Sequence, residues 1–240
     1  MLIHMFHDNR LRGLLLLFPL FACGCSEESE PATRLGDSWS GESAVGDYSE
    51  PWVSSDAPKV IFLGDSLSAG LHLDADQAFP AVLQRRLIEA ELPFDLVNAG
   101  VSGDTTAGGL SRIDWLLEQA PEIVVVELGG NDGLRGLAVQ EIEDNLRSIL
   151  QRIKDAGATP ILLGMRIPTN YGVEYADSFR AIYERLADEL EVPSVLDFLA
   201  GVGGVRELNL PDGIHPNSRG HELLADNIES VIRSQVRIRR

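Results

Sequence analysis

Cysteine is almost missing from this 240-residue chain: Cys23 and Cys25 are the only two, and none follows them. A disulfide scaffold, a zinc–thiolate site and a cysteine nucleophile are therefore excluded from the main body. Basic residues are few as well. Twenty Lys and Arg stand against 37 Asp and Glu, a net charge of -17 at pH 7. A chain this acidic is repelled by phosphate backbones, which argues against a nucleic-acid partner. There is no HExxH, no carboxylate cluster at ligand spacing, no GxGxxG and no P-loop, so the sequence indicates neither a metal nor a cofactor. What is present, 44% hydrophobic and 24% charged residues, is ordinary globular usage and rules out wholesale disorder.

The apolar stretch Leu14–Ala22 follows Arg10 and Arg12 and is nine residues long. As a helix it spans about 14 Å, whereas a bilayer core needs roughly 20 residues. It reads as the h-region of a signal peptide over residues 1–22. Leu20-Phe21-Ala22-Cys23 is similar to the lipobox of bacterial lipoproteins, although Phe21 replaces the usual small residue. Lipidation is expected at Cys23, with Cys25 in the weaker register and plain secretion as the alternative. Two acyl chains on one cysteine suffice for stable anchoring where a single chain is marginal. Between residues 26 and 57 the sequence holds eight acids and one base and shows neither helical nor strand period. Residues 23–57 thus read as an acidic flexible tether, unable to bury enough apolar surface to offset its ordering entropy.

From residue 58 to 240 strands alternate with helices. Strands are predicted at Lys59–Leu63, Phe94–Val97, Glu122–Leu128, Thr159–Leu163 and Pro193–Leu196. Helices are predicted at Gln77–Leu92, Thr105–Gln119, Val139–Ala156, Glu174–Leu190 and Ser218–Val236. EIVVVEL, apolar nearly throughout, suits a central parallel strand covered on both faces. The alternation implies an α/β fold, a three-layer α/β/α sandwich on a five-stranded parallel sheet, with no second domain and no internal repeat. Ligands of such sheets bind outside the carboxyl ends of the strands.

Four polar segments fall at those ends. Gly64-Asp65-Ser66-Leu67 follows the first strand, where a serine hydroxyl faces the crevice. Either it is a nucleophile beside a helix N-terminus or Asp65 and Ser66 merely cap that helix. Because Ser68 occupies the last position, the segment is not the G-x-S-x-G elbow. Asp212-Gly213-Ile214-His215 can pair its carboxylate with its imidazole if the backbone turns at Gly213, as an acyl-transfer base requires. The alternative is an exposed surface loop. Gly103, after the second strand, and Asn131, after the third, are suited to donate to an oxyanion, or else serve as turn residues. His221 reads as a surface or capping residue. The coincidence of all four segments at strand ends favours chemistry over four separate turns.

Together, FLGDSLSAG, NAGVSGDTTAGGLSRI, VVVELGGNDGLRG, RIPTNYG and DGIHPN resemble the SGNH/GDSL hydrolases, most closely the thioesterase I/lysophospholipase/arylesterase branch. The resemblance runs over residues 59–235. It implies a flavodoxin-like fold and an acyl-enzyme mechanism: Ser66 as nucleophile, His215 as base, Asp212 as its orienting acid, and the Ser66 amide, Gly103 and Asn131 as oxyanion donors. The implied partner is a small acyl ester or thioester, such as a lysophospholipid or acyl-CoA, met by a monomer on the periplasmic side of the cell envelope. A carbohydrate acetylesterase and a non-catalytic lipoprotein are the competing readings. Few aromatics (6%) weigh against sugar-stacking platforms. For the acyl pocket the candidates are Leu134, Leu137, Ile167, Pro168 and Tyr171, with Gly129, Gly130, Gly133 and Gly136 expected to leave a flexible closing loop.

Overall fold

A computed structural model of the chain describes residues 57–238. The predicted signal peptide, the tether up to residue 56, Cys23, and the terminal Arg239 and Arg240 lie outside the described residues.

Short runs of aliphatic and β-branched residues form five strands: β1 (Lys59–Gly64), β2 (Asp95–Gly100), β3 (Ile123–Glu127), β4 (Thr159–Leu163) and β5 (Ser194–Val195). All pair in parallel, in the order β2-β1-β3-β4-β5. Every residue of β3 is buried, as a strand with helices on both faces must be. Seven helices occur among the described residues: α1 (Ser66–Ala69), α2 (Phe79–Glu89), α3 (Thr106–Leu117), α4 (Gly130–Leu134), α5 (Val139–Asp155), α6 (Val173–Glu189) and α7 (Ser218–Ile238). α2 packs with α7, and α3 with α5 and α5 with α6, which gives the expected three-layer sandwich. The α5 stripe Ile142, Leu146, Ile149, Leu150 and Ile153 is buried at helical spacing. Across the sheet, Phe79 meets the rings of Phe62 and Phe198 edge-on at 5.7 and 5.1 Å. None of the helices among the described residues is long and apolar enough to cross a membrane.

The strand order fixes where a ligand can go. The chain turns one way from β1 to β2 and the other way to β3, so a crevice opens between the carboxyl ends of β1 and β3. Register brings Gly64 level with both Gly100 and Glu127. Three segments of the polypeptide therefore leave the sheet at one height.

Two sequence expectations are corrected. β2 extends to Gly100, because Asn98–Gly100, read from sequence as a loop, pairs in register with Phe62–Gly64. Asn98 closes that pairing by donating to the Ser68 carbonyl at 2.7 Å. The glycine-rich segment after β3 is not an open, flexible loop. It winds into α4, and its glycines permit close approach instead: a Cβ on Gly133 would stand 2.8 Å from Ile167 and 3.0 Å from Phe179.

Candidate active site

The chain leaves β1 at Gly64 and enters α1 at once. A side chain at Gly64 is impossible without rearrangement, since its Cβ would lie 2.0 Å from Ser68 Oγ and 2.5 Å from Glu127 Oε2. Asp65 caps α1 through a 2.9 Å bond from the Leu67 amide to Oδ1. Ser66 is thus the first helical residue and its amide has no intrahelical acceptor. With four residues, α1 has little macrodipole. Any electrostatic help to Ser66 comes from local amides.

The second half of the site comes from the loop before α7. Asn209 anchors that loop by donating to the Val202 and Val205 carbonyls at 2.8 and 2.7 Å. Leu210 N bonds His215 O at 2.7 Å, and Gly213 takes φ +72°, the left-handed conformation that glycine adopts without strain. This turn folds Asp212 back onto His215. Asp212 Oδ1 accepts from the Ile214 and His215 amides (2.9 and 3.0 Å), and Oδ2 lies 2.8 Å from His215 Nδ1. Those amides, followed by the imidazole, hold the Asp212 carboxyl well below the usual range. A carboxylate only accepts, so Nδ1 carries the proton and Nε2 presents a lone pair. Nε2 stands 3.0 Å from Ser66 Oγ. The hydroxyl therefore donates to His215, and a continuous hydrogen-bonded chain runs from Ser66 to Asp212.

Asn131, in the first turn of α4, points back at this centre. Its Nδ2 donates to Asp65 Oδ2 and to the Asp104 carbonyl, both at 2.9 Å. One carboxamide thus ties the residue before Ser66 to the residue after Gly103. Gly103 itself is held by a 3.0 Å bond from Arg135 Nη2 to its carbonyl. The donors predicted for an oxyanion are brought to the crevice, with both Asn131 hydrogens already engaged.

Of the pocket candidates, Leu137 and Ile167 pack against the core, while Leu134, Pro168 and Tyr171 are exposed. The two segments that bear them are joined. Tyr171 Oη donates to the Leu134 carbonyl at 3.4 Å, and Tyr175 Oη donates to that of Leu137 at 2.7 Å. An open groove of about 960 Å³ runs between α5 and α6 and includes Tyr171, but not Ser66. His221 is not a surface residue. It is buried and caps a different helix, its Nδ1 accepting the Phe79 amide that opens α2, at 3.1 Å. Burial, with a smaller contribution from His215, lowers its pKa to about 4.

Sequence reading missed a supporting set of charged residues. Arg112 spans three segments, reaching Asp104 Oδ2 (2.9 Å) and the Ala99 (2.6 Å) and Gly64 (3.0 Å) carbonyls. Buried Asp132 accepts from the Thr106 amide and hydroxyl at the start of α3, and its pKa is raised chiefly by burial. Glu127 ends β3 and is fully buried. The signal for it was visible: one acid inside an otherwise apolar strand. Among the described residues no group of three or more His, Cys, Asp or Glu could hold a metal ion.

With that geometry in view, comparisons with known proteins are specific. Residues 62–223 match the model of the GDSL-like lipase/acylhydrolase family. Esterase TesA of Pseudomonas aeruginosa is 44% identical over 173 residues, 72% of this chain and 86% of that protein. The Escherichia coli K12 protein named thioesterase 1/protease 1/lysophospholipase L1 is 45% identical over 171 residues, 71% of this chain and 81% of its own. The crystal structure of psychrotrophic esterase EstA from Pseudoalteromonas, inhibited by monoethylphosphonate, superposes with a TM-score of 0.71. It is 32% identical and is covered to 99% by 75% of this chain.

Proposed function

The chain belongs to the GDSL-like lipase/acylhydrolase family and is a serine-type carboxylic ester hydrolase; from that premise we propose that Ser66 is the residue that takes up the acyl group. The observation that carries this assignment is the chain Ser66 Oγ–His215 Nε2 at 3.0 Å and His215 Nδ1–Asp212 Oδ2 at 2.8 Å. His215 removes the Ser66 proton as Oγ attacks the ester carbonyl and returns it to the departing alcohol or thiol. Water then attacks the acyl-enzyme with His215 again as base. Asp212 keeps the imidazole in the Nδ1–H form and stabilises the imidazolium.

The developing oxyanion is received by the Ser66 amide, Gly103 and Asn131. Because Asn131 Nδ2 is doubly engaged at rest, it must share or exchange one bond as negative charge appears on the substrate. The apolar residues Leu134, Leu137, Ile167, Pro168 and Tyr171, on segments that border the same crevice, are assigned to the acyl chain. Acyl thioesters and lysophospholipids are the substrates we infer, in keeping with the names of the relatives. The N-terminal features support export and anchoring through Cys23 in the cell envelope.

Replacing Ser66 tests the assignment. Ser66→Ala, His215→Ala and the double variant are expected to lose kcat to a similar degree, roughly 10⁴-fold or more, because the pair acts as one unit. p-Nitrophenyl esters from acetyl to palmitoyl provide the assay. Additive losses, or a folded Ser66→Ala protein with normal turnover, overturn the assignment. Activity confined to acetyl esters redirects it toward carbohydrate deacetylation.

A further inference from the structure

Glu127 is the one described residue with a buried side-chain polar atom that lacks a hydrogen-bond partner, and that atom is Oε1. Its other oxygen is crowded with donors. Oε2 accepts from the Asp65 amide (3.2 Å), the Ser68 amide (3.0 Å) and the Ser68 hydroxyl (2.7 Å). The carboxyl therefore lies beneath α1, bonded to Asp65 and Ser68, which bracket Ser66 and Leu67. An ionised carboxylate would leave Oε1 as a bare, buried negative oxygen beside a second carboxylate, which is unfavourable on both counts. A carboxylic acid reverses this. Oε1–H would become a donor, with the side chain of Asp65, whose own amide already bonds Oε2, as its acceptor. Asp65 has capacity for it, since Oδ1 serves Leu67 N and Oδ2 serves Asn131 Nδ2.

We propose that Glu127 is held as a neutral carboxylic acid that donates to Asp65, and that this bond positions both Ser66 and the Asn131 carboxamide. Glu127 touches no substrate and acts through Asp65, so it is a positioning residue. The inference rests on the roles assigned above to Ser66 and Asn131. Electrostatics agree with the geometry. Burial, and then the Asp65 charge, push the Glu127 carboxyl well above its ordinary range. Burial raises Asp65 to about 6 against the opposing pull of the Leu67 amide, Glu127, His215 and Asn131. Both Asp65 oxygens already receive donors while Glu127 Oε1 receives none, so the proton of the pair is assigned to Glu127. Other ionisable groups around the pair are Tyr183 from α6 and His215 from the loop before α7, with Arg112 bonded to the neighbouring Gly64 carbonyl. A neutral Glu127 leaves a single negative charge behind the nucleophile, where two would oppose the forming oxyanion.

Infrared spectroscopy of the whole protein at neutral pH reads the protonation directly. A carboxylic-acid carbonyl band that shifts in D₂O is expected, and it should vanish in Glu127→Gln. Turnover reads the positioning. Gln keeps a donor toward Asp65 and an acceptor toward Ser68, so Glu127→Gln should retain kcat within about threefold, whereas Glu127→Leu loses roughly 10–100-fold in kcat with little change in KM. A wild-type spectrum without the band overturns the proposal, as does a band that survives in Glu127→Gln. A Gln variant as impaired as the Leu variant, or unable to fold, also overturns it. Failure of the nucleophile assignment looks different: activity survives Ser66→Ala while the band is untouched.

Discussion

Asn131, proposed as an oxyanion donor, has both amide hydrogens in use at rest, one on Asp65 and one on the Asp104 carbonyl. Its role is therefore differential. In the ground state it braces the site, and only a negatively charged oxygen can compete for one of its hydrogens. Asn131→Ala should accordingly lower kcat by roughly 10²–10³-fold with a smaller change in KM, as steady-state kinetics on p-nitrophenyl butyrate will show. A change in KM alone would assign it to ground-state binding. His221 makes a different prediction, about stability. Its folded pKa is about 4 against an ordinary 6.5. Between those values the unfolded chain binds more protons than the folded one, so stability rises with pH through this window and falls on acidification. The contribution is on the order of 1–3 kcal/mol. Melts between pH 7 and 4 should show that decline, and His221→Asn, which keeps an acceptor for Phe79 N, should flatten it.

The elements that carry the chemistry are the shortest ones. α1 and α4 have four and five residues, too few for any periodicity; the sequence offered α1 only as a helix start at Asp65–Ser66 and read the α4 segment as a loop. The five strands and the long helices were legible, because a buried strand such as Ile123–Glu127 or an amphipathic helix such as Val139–Asp155 needs a sustained pattern. The proposed site residues were legible for a separate reason: Ser66, Gly103 and Asn131 stand within four residues of the ends of β1, β2 and β3, where polar groups are rarely needed for packing, and Asp212 and His215 form a compact motif in the loop before α7. Arg112 and Asp132 escaped notice because each ties together segments that only the fold makes neighbours, and Glu127, though visible as a lone acid in an apolar strand, has its partners 59 to 62 residues away. At this scale the acyl pocket is tested by breaking the seam between α4 and the 169–171 turn. Ile167 faces Gly133 across that seam. Ile167→Asp should depress kcat/KM for octanoyl and longer esters far more than for acetyl esters, since each buried CH₂ is worth about 0.8 kcal/mol. Equal losses along the series would place the chain elsewhere.

For the molecule as a whole, the sequence places eight of its acids, including Glu27, Glu28 and Glu30, between Cys23 and Lys59, and sets a net charge of -17. Such a chain gains nothing from anionic lipid by charge, so the anchoring proposed above rests on covalent acyl chains. Mass spectrometry of the mature protein should find an acylated N-terminal cysteine at Cys23, and Cys23→Ala should release the enzyme in soluble or misprocessed form. An unmodified mature terminus would leave plain secretion. The hydrolase body imposes a timetable of its own. Ser66 stands at the exit of the first strand, and its base lies 149 residues later, just before the last helix. A polypeptide still emerging from the ribosome, or threading N-terminus first through an export channel, holds the hydroxyl without the imidazole. On the roles proposed for Ser66 and His215, ester cleavage requires the loop before α7 to bring the imidazole to the hydroxyl, so an incomplete chain is expected to be inert toward esters.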